Sequence, residues 1–310
     1  MLRANHAVRL GLRAASRNPE LAFVKALLDQ CGNLLALLPL ALAALLIAGA
    51  DNLAAMIRLI RALPWSMAGG LLAAIAIAFV AGSVFWSGAL PLLAADAEMD
   101  RRPPAGNFAL LASRGFGRVV LAALAAGALS LLVILAFSAA LAVGVPAIAG
   151  RLSVGLLAGV AVLASVFVIA AVMVDLLARL MLVRAAAFGD SASSAFGRAA
   201  SLLGSRLGAC LIVTGVFLLL ELIAASVAGL FTGLISSTSM FDPGAEMLAL
   251  APRIAAGLAF AAVFAWLEVG RMGALAAIAA DAEGLIEPPP AGPVLIAEPV
   301  IEALPVPDQE

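Results

Sequence analysis

Six long apolar stretches constrain this chain more than any other feature of its sequence. They cover residues 31–50, 68–90, 119–143, 153–177, 207–235 and 254–275. Each approaches or exceeds the roughly 20 residues with which a helix crosses about 30 Å of hydrocarbon. Ala and Leu, which favour helix, dominate them. With 65% hydrophobic and 12% charged residues, the chain has more apolar side chains than one water-soluble core can enclose. The sequence predicts an all-α, polytopic transmembrane bundle of six spans.

The basic residues fall mainly on one side of these predicted spans. Loops on the cytoplasmic side of a membrane carry an excess of Lys and Arg. One side receives twelve: Arg3, Arg9, Arg13, Arg17, Lys25, Arg101, Arg102, Arg114, Arg118, Arg184, Arg198 and Arg206. The other side receives Arg58, Arg61, Arg151 and Arg253. The distribution predicts that both termini are cytoplasmic.

The C-terminal segment, residues 284–310, differs from the rest of the chain. It holds seven of the sixteen prolines, five acidic residues and no basic one. Such a segment buries too little apolar surface to fold, so we expect a disordered cytoplasmic tail. Two interpretations remain open for it: a solvated end without a role, and a docking segment for a soluble protein partner.

One phrase occurs twice in the chain. "GALPLLAADAE" runs from Gly88 to Glu98 and "GALAAIAADAE" from Gly273 to Glu283, with eight of eleven positions identical. The first copy ends the second span and the other ends the sixth. A degraded third version, "ARLMLVRAAAFGD", ends the fourth span, with Asp190 in register with Asp100.

A second short pattern repeats at nearly the same interval along the chain. "SR" occurs at Ser16–Arg17, Ser113–Arg114 and Ser205–Arg206, each time before an odd-numbered span. The two markers together predict three tandem hairpin repeats, residues 9–104, 105–196 and 197–283. Each unit has a short interfacial helix, a Ser-Arg hinge, a span, a turn and a returning span. Two spans per unit give all three units one orientation.

The hinge regions also predict the depth of the helices in the membrane. Arginines near span ends reach towards lipid head groups, so the expected interface anchors are Arg9, Arg13, Arg17, Arg114 and Arg206. The first three share one face of an N-terminal helix with two other basic side chains, Arg3 and His6. We expect this helix to lie on anionic lipid.

Local sequence predicts where each surface helix ends and the following span begins. It also predicts the surroundings of the acidic residues at the ends of the second and sixth spans. Asn18–Pro19–Glu20 is a good helix start, and Gly115 and Gly117 are expected to provide the corresponding break in the second unit. Asp96 and Asp281 of the duplicated phrase are interpreted as water-facing helix ends.

Five ionisable residues lie within the spans, where charge is costly and often functional. Asp175 and Arg179 are four apart, and Glu268 and Arg271 are three apart, so each set can pair on one helix face. Glu221 has no base within one turn of helix. Our hypothesis is that Glu221 approaches Arg179 or Arg271 across the bundle and completes one polar cluster. Self-neutralised structural pairs are the alternative interpretation.

The chemistry-bearing motifs of common enzymes are missing from the sequence. There is one histidine, His6, and one lysine, Lys25, and no HExxH, GxSxG, GxGD, CxxC or phosphate-loop pattern. We therefore expect no catalytic residue, metal or cofactor. Aromatic stacking residues are also missing from the basic N-terminal helix, so nucleic-acid binding is not expected.

The segment "GDSASSAFGRAASLLGSRLGACL", Gly189 to Leu211, resembles part of a group of bacterial six-span proteins. That group includes the membrane domain of glycerophosphoryl diester phosphodiesterase. The resemblance implies a six-span repeat architecture in a bacterial inner membrane. Phosphodiesterase activity is not expected, because fused members carry it on a separate soluble domain.

Two functional classes follow from these observations. The first is a non-enzymatic scaffold or a module that interacts with lipids or a partner. The second is a small permease or lipid-handling transporter that uses the polar cluster. A water-connected cavity reaching Glu221 would favour transport, whereas exposed glycine faces such as Gly229–Gly233 would favour assembly. The sequence does not indicate an oligomeric state.

Overall fold

The computed structural model describes residues 2–48, 53–99, 105–148, 154–239 and 243–286, and these residues are almost entirely helical. The helices are α1 (Ala4–Arg17), α2 (Pro19–Ala48), α3 (Leu53–Met99), α4 (Phe108–Ile148), α5 (Val154–Ala187), α6 (Ala192–Ser239) and α7 (Pro243–Ala282). A short 3-10 turn, Ala105–Asn107, precedes α4. Residues 100–104 and 287–310, which include Asp100, Arg101, Arg102 and most of the predicted tail, lie outside the described residues.

Six of the described helices are long and apolar enough to cross a membrane, as the hydropathy predicted. The candidate spans are Pro19–Leu38, Ala68–Glu98, Phe108–Ala140, Ala161–Ala187, Ala192–Leu234 and Ala251–Ala282. The first begins earlier than the predicted apolar window because α2 is helical from Pro19 onwards and includes Lys25 and Asp29, whose charges pair with each other. The all-helical, six-span part of the predicted fold is therefore confirmed.

Consecutive helices pack along each other as α2 with α3, α4 with α5, and α6 with α7. The second half of α7 lies at the centre of the bundle, in contact with α1, α2, α3, α5 and α6. Every residue from Val269 to Ala280 is buried. Alanine and glycine make up more than half of this segment, so neighbouring helices can approach it closely on all sides. We call the end of the bundle that contains this segment and α1 the α1 end.

Small residues let α1 approach α7 closely. Ala7, Gly11, Ala14 and Ala15 form the buried face of α1. A Cβ atom added at Gly11 would overlap the carbonyl oxygen of Gly270 and lie 2.7 Å from the Cβ of Ala274. The two backbones therefore meet where neither helix has a large side chain, which is the kind of packing that favours helix association in membranes. The opposite, basic face of α1 is exposed at Arg3, His6, Arg9 and Arg13.

The predicted Ser-Arg breaks are present in two of the three places. Asn18, with φ −120° and ψ 59°, separates α1 from α2. Arg206, with φ −131° and ψ 29°, interrupts α6. The predicted break at Gly115 and Gly117 is wrong, because α4 continues through both.

Contacts with α3 explain why α4 stays helical at that point. A Cβ atom at Gly115 would lie 3.4 Å from the carbonyl oxygen of Ser87. Ser87 Oγ donates a hydrogen bond of 3.1 Å to the carbonyl oxygen of Ala112. Gly115 therefore allows α3 and α4 to pack closely, and it does not act as a hinge.

We predict that Gly11→Ala lowers thermal stability although alanine is the better helix former. Replacing a helical glycine with alanine normally stabilises by about 1 kcal/mol. Overpacking costs about 1–3 kcal/mol, and at Gly11 the obstacle is backbone, which cannot move aside as a side chain does. The melting temperature in detergent, followed by size-exclusion chromatography after heating, measures the difference.

Gly117→Ala is the matched control, because nothing lies within 4 Å of a Cβ atom at that position. The control should melt at the wild-type temperature or above it. Equal melting temperatures for Gly11→Ala and Gly117→Ala would contradict the close crossing of α1 and α7.

Candidate functional site: an intramembrane ion-pair network

Glu268 of α7 lies between two cations that come from different helices. Lys25 Nζ of α2 is 2.7 Å from Glu268 Oε2. Arg179 Nη1 of α5 is 3.6 Å from Glu268 Oε1. The carboxylate thus joins α2, α5 and α7 through both of its oxygens.

Each of these cations also holds a carboxylate on its own helix. Lys25 Nζ is 2.6 Å from Asp29 Oδ1, and Arg179 Nε is 2.7 Å from Asp175 Oδ2. Both pairs have the i, i+4 spacing that brings side chains together on one helix face. The result is one chain of ion pairs in the order Asp29, Lys25, Glu268, Arg179, Asp175.

A fourth helix enters next to this chain. Arg271 Nη2 of α7 is 3.5 Å from Glu221 Oε1 of α6. Arg271 is one turn beyond Glu268 on α7, and it is buried. Arg179 Nη1 also donates to Met272 Sδ at 3.8 Å. Seven charged side chains from four helices therefore adjoin one another, and we call them the ion-pair network.

The network contains all five charged residues singled out from the sequence, but with different partners. The Asp175–Arg179 pair lies within one helix as predicted. Glu268 and Arg271 form their close ion pairs with residues of other helices. Their charges still attract each other along α7, but at longer range than the predicted pairing. Glu221 meets Arg271 and not Arg179. Packing of four helices, rather than spacing along one, selects the closer countercharge.

Lys25 and Asp29 are the members that the sequence reasoning missed. Lys25 was assigned to the cytoplasmic side as one basic residue among twelve, yet its side chain is only 10% exposed inside the bundle. The sequence did contain an indication that Lys25 is buried and paired. It is the one lysine of the chain, its neighbours are mostly apolar, and Asp29 follows four residues later. A buried ammonium needs such a partner.

Two of the predicted interface arginines pair with aspartates of the duplicated acidic phrase. Arg17 Nη1 is 3.1 Å from Asp96 Oδ1, and Arg206 Nη1 contacts Asp281 Oδ2. Asn18 Nδ2 donates to Asp96 Oδ2 at 3.3 Å, and the backbone nitrogen of Leu2 donates to Asp281 Oδ2 at 3.0 Å.

These contacts correct two interpretations. Asp96 is 2% exposed, so it is not a water-facing helix end. Arg17 and Arg206 are tied to carboxylates of the bundle rather than reaching only towards lipid. The other three predicted anchors, Arg9, Arg13 and Arg114, are exposed.

A cleft of about 660 Å³ opens between α2, α3 and α7 beside the network. Its polar wall belongs to α2 and consists of Lys25, Asp29, Gln30 and Asn33. The facing wall on α3 is formed mostly by small and apolar residues: Ala74, Ile75, Ala78, Ala81, Gly82 and Trp86. The cleft therefore meets the network at Lys25 and Asp29, not at Glu221 as a transport pathway through Glu221 would require.

Three glycines of the predicted small-residue faces, Gly159, Gly229 and Gly233, do not pack against other helices in the described part of the chain. Gly229 and Gly233 are exposed, and a Cβ atom at either would meet nothing within 4 Å. Gly159 has the same surroundings. These positions face outwards from the described part of the bundle.

Fold and composition together define an integral membrane protein of the helical-bundle class. No known protein family, curated protein or solved structure matches the chain. The resemblance to the phosphodiesterase membrane domain therefore stays an expectation. Among the described residues, no group of three or more His, Cys, Asp and Glu side chains is arranged to hold a metal ion.

We predict that the charge balance of the network, rather than any single pair, sets its contribution to stability. The network has three cations (Lys25, Arg179, Arg271) and four carboxylates (Asp29, Asp175, Glu221, Glu268), a net charge of −1 when all are ionised. Lys25→Met brings this to −2, whereas Lys25→Met with Glu268→Gln returns it to −1. Breaking a buried pair costs about 3–5 kcal/mol, an upper limit here.

The double variant should therefore melt at a higher temperature than Lys25→Met alone. Arg114→Met, which removes an exposed cation, is the control and should leave the melting temperature unchanged. If Lys25→Met melts like the wild type, Lys25 is not part of a buried network.

Proposed function

We propose that this protein is a non-enzymatic, lipid-interacting membrane module that binds the polar head of an amphiphile in the cleft between α2, α3 and α7. One observation supports this proposal most strongly. The cleft combines a charged and amide-bearing wall on α2 with an apolar wall on α3. Its volume falls within the range of about 300–1,000 Å³ that is typical of small-molecule sites.

The charges in the cleft favour a head group that donates hydrogen bonds. Lys25 is already bound to Asp29 and to Glu268, so these three side chains carry a net charge of −1. The side chain of Asp29 is 46% exposed and offers its outer lone pairs to the cleft. The amide oxygens of Gln30 and Asn33 add two acceptors. An ammonium or hydroxyl head group matches these acceptors better than an anionic one does.

The apolar wall of the cleft can contact the alkyl chains of the same amphiphile. Ala74, Ala78 and Gly82 follow one face of α3 at four-residue spacing. They leave room beside the backbone, where an alkyl chain could lie in the direction of the helix. Binding from the lipid phase would then need no passage through the bundle.

Lipid handling across the membrane is the second candidate function. The ion-pair network favours it, because charged groups continue from Lys25 in the cleft to Glu221 on α6. On this proposal Glu221→Gln slows the movement of a fluorescent amine-headed lipid between leaflets of proteoliposomes. Lipid retention in the cleft should be unaffected by the same change, since Glu221 does not line it.

We also propose that the six spans are three copies of one hairpin. Support comes from the two ion pairs at the α1 end, in which the Ser-Arg marker meets the acidic phrase of its own unit: Arg17 with Asp96 and Arg206 with Asp281. Two patterns recognised separately in the sequence are thus physical partners in the first and third units. In the second unit, counted in the register that aligns Asp190 with Asp100, Ala186 stands at the position of Asp96, and Arg114 is exposed.

The proposed location is a bacterial inner membrane with both termini in the cytoplasm. The exposed basic face of α1 (Arg3, His6, Arg9, Arg13) supports contact with anionic lipid at that surface. Docking of a soluble partner to the C-terminal tail is a further proposal, and residues 287–310 lie outside the described part of the chain.

We expect Asn33→Phe to expel bound amphiphile from the cleft. Asn33 lines the cleft and is exposed, so a phenylalanine there fills space without disturbing the core. Native mass spectrometry after exchange into phosphatidylethanolamine or phosphatidylcholine measures retention. The wild type should keep the ethanolamine lipid, whose ammonium donates hydrogen bonds, in preference to the choline lipid, whose trimethylammonium has no N–H.

Leu34→Phe is the matched control, since the neighbouring Leu34 is 66% exposed and does not line the cleft. It should retain lipid as the wild type does. Equal retention by Asn33→Phe and the wild type, or no preference between the two lipids, would refute the proposed site.

A further inference from the structure

The geometry points to a second binding site, for a phosphate group, at the α1 end of the bundle between α5, α6 and α7. A cavity of about 270 Å³ lies there, away from the cleft and the ion-pair network. Two arginines and two serines line it, Arg184, Arg198, Ser201 and Ser205, together with Glu283. None of these residues lines the proposed lipid site, and the sequence patterns that contain them did not predict that they meet.

Arg184 supplies the strongest indication of a ligand. Its side chain is 3% exposed, and Nε is 2.8 Å from Asp190 Oδ2 while Nη1 is 2.6 Å from Glu283 Oε1. The guanidinium carbon lies 4.6 Å from the ring centre of Phe188. The remaining nitrogen, Nη2, is buried and has no hydrogen-bond partner in the described part of the protein. A buried, unpaired N–H group is unfavourable unless something binds it.

The backbone after α5 holds this guanidinium in place. Gly189 has φ +71°, a left-handed conformation that glycine adopts without strain. The backbone nitrogens of Phe188 and Asp190 each donate to the carbonyl oxygen of Arg184, both at 3.3 Å. This turn brings Asp190 and Phe188 back onto the Arg184 side chain, so the guanidinium is fixed before any ligand arrives.

α6 adds further donors on one face. Arg198, Ser201 and Ser205 are separated by three and four residues, which places them on the same side of the helix. Ser205 Oγ donates to the carbonyl oxygen of Leu202 at 3.2 Å, so on this face the Ser201 hydroxyl and the Arg198 guanidinium are the groups that can donate into the cavity. Arg198 is 58% exposed and pairs with Asp190 Oδ1 at 3.3 Å. The guanidinium group of arginine, which can donate two parallel hydrogen bonds, and hydroxyl groups are common phosphate ligands.

Carboxylates in the same cavity limit the occupant. Arg184 and Arg198 are balanced by Asp190 and Glu283, so the set has no net charge before the ligand binds. Recognition must therefore come from directed N–H and O–H groups. Glu283 is 41% exposed and can turn towards water when an anion takes its place on the guanidinium. A phosphate monoester has three terminal acceptor oxygens, so it matches the donors of Arg184, Arg198 and Ser201 better than a carboxylate, which has two oxygens.

Two sources of phosphate share this chemistry. The cavity lies where α5 ends, close to the end of the candidate span Ala161–Ala187, and the end of a membrane span is where lipid head groups are expected. A phospholipid with a terminal phosphate could reach it from the membrane. A free phosphate or a small phosphate ester could reach it from the aqueous side.

Ser201→Asp tests the site by placing a carboxylate among the donors. Ser201 is exposed, so the change need not disturb folding. We expect at least a tenfold weaker affinity than in the wild type. The probes are inorganic phosphate, titrated by calorimetry in detergent, and phosphatidic acid, titrated by native mass spectrometry in mixed micelles. Arg198→Gln, which removes an exposed cation, should also weaken binding.

Ser193→Asp is the control, because it adds the same charge to an exposed position of α6 that does not line the cavity. Binding of phosphatidic acid alone would identify a lipid phosphate as the ligand, and binding of inorganic phosphate as well would identify an aqueous one. Failure of the wild type to bind either probe would overturn the inference. So would equal affinities of Ser201→Asp and Ser193→Asp.

Discussion

The close packing of helices around the second half of α7 is the constraint on which the rest of the structure depends. Lipid is as apolar as a leucine side chain, so membrane helices associate through close contact rather than through exclusion of water. Gly270 and Gly273 face Gly11 and Ala14 of α1, and the segment from Val269 to Ala280 is buried on all sides. Larger side chains here would hold the surrounding helices apart.

The same packing makes the internal charges tolerable. Glu268 and Arg271 project from α7, and the helices that surround it bring Lys25, Arg179 and Glu221 within reach. A lone charge in the hydrocarbon costs about 3 kcal/mol or more, and charged residues within a membrane therefore pair with one another. Conversely, the ion pairs join four helices at a defined depth. Apolar packing and charge neutralisation therefore require each other in this bundle.

Sequence reasoning recognised the spans and five of the seven network residues, because length, hydropathy and isolated charge are properties of local sequence. It could not assign partners. Helical spacing favoured Glu268 with Arg271, yet each is closer to a countercharge on a neighbouring helix. Lys25 was missed for the same reason. Its sequence position near a span end is typical of an interface residue, and only contacts with other helices bury it. The cleft and the Arg184 cavity are spaces between helices, and no single stretch of sequence encodes them.

By itself, the sequence determined that the chain forms six membrane-crossing helices with charges inside, because a backbone in hydrocarbon must satisfy its own hydrogen bonds. It also contained both halves of the Arg17–Asp96 and Arg206–Asp281 pairs as separate repeated patterns. Only the tertiary structure decided which charges neutralise each other, that α1 packs on α7, and where a polar wall meets an apolar one. The physical reason is distance: electrostatic and packing energies depend on separation in space, which contacts between remote helices set.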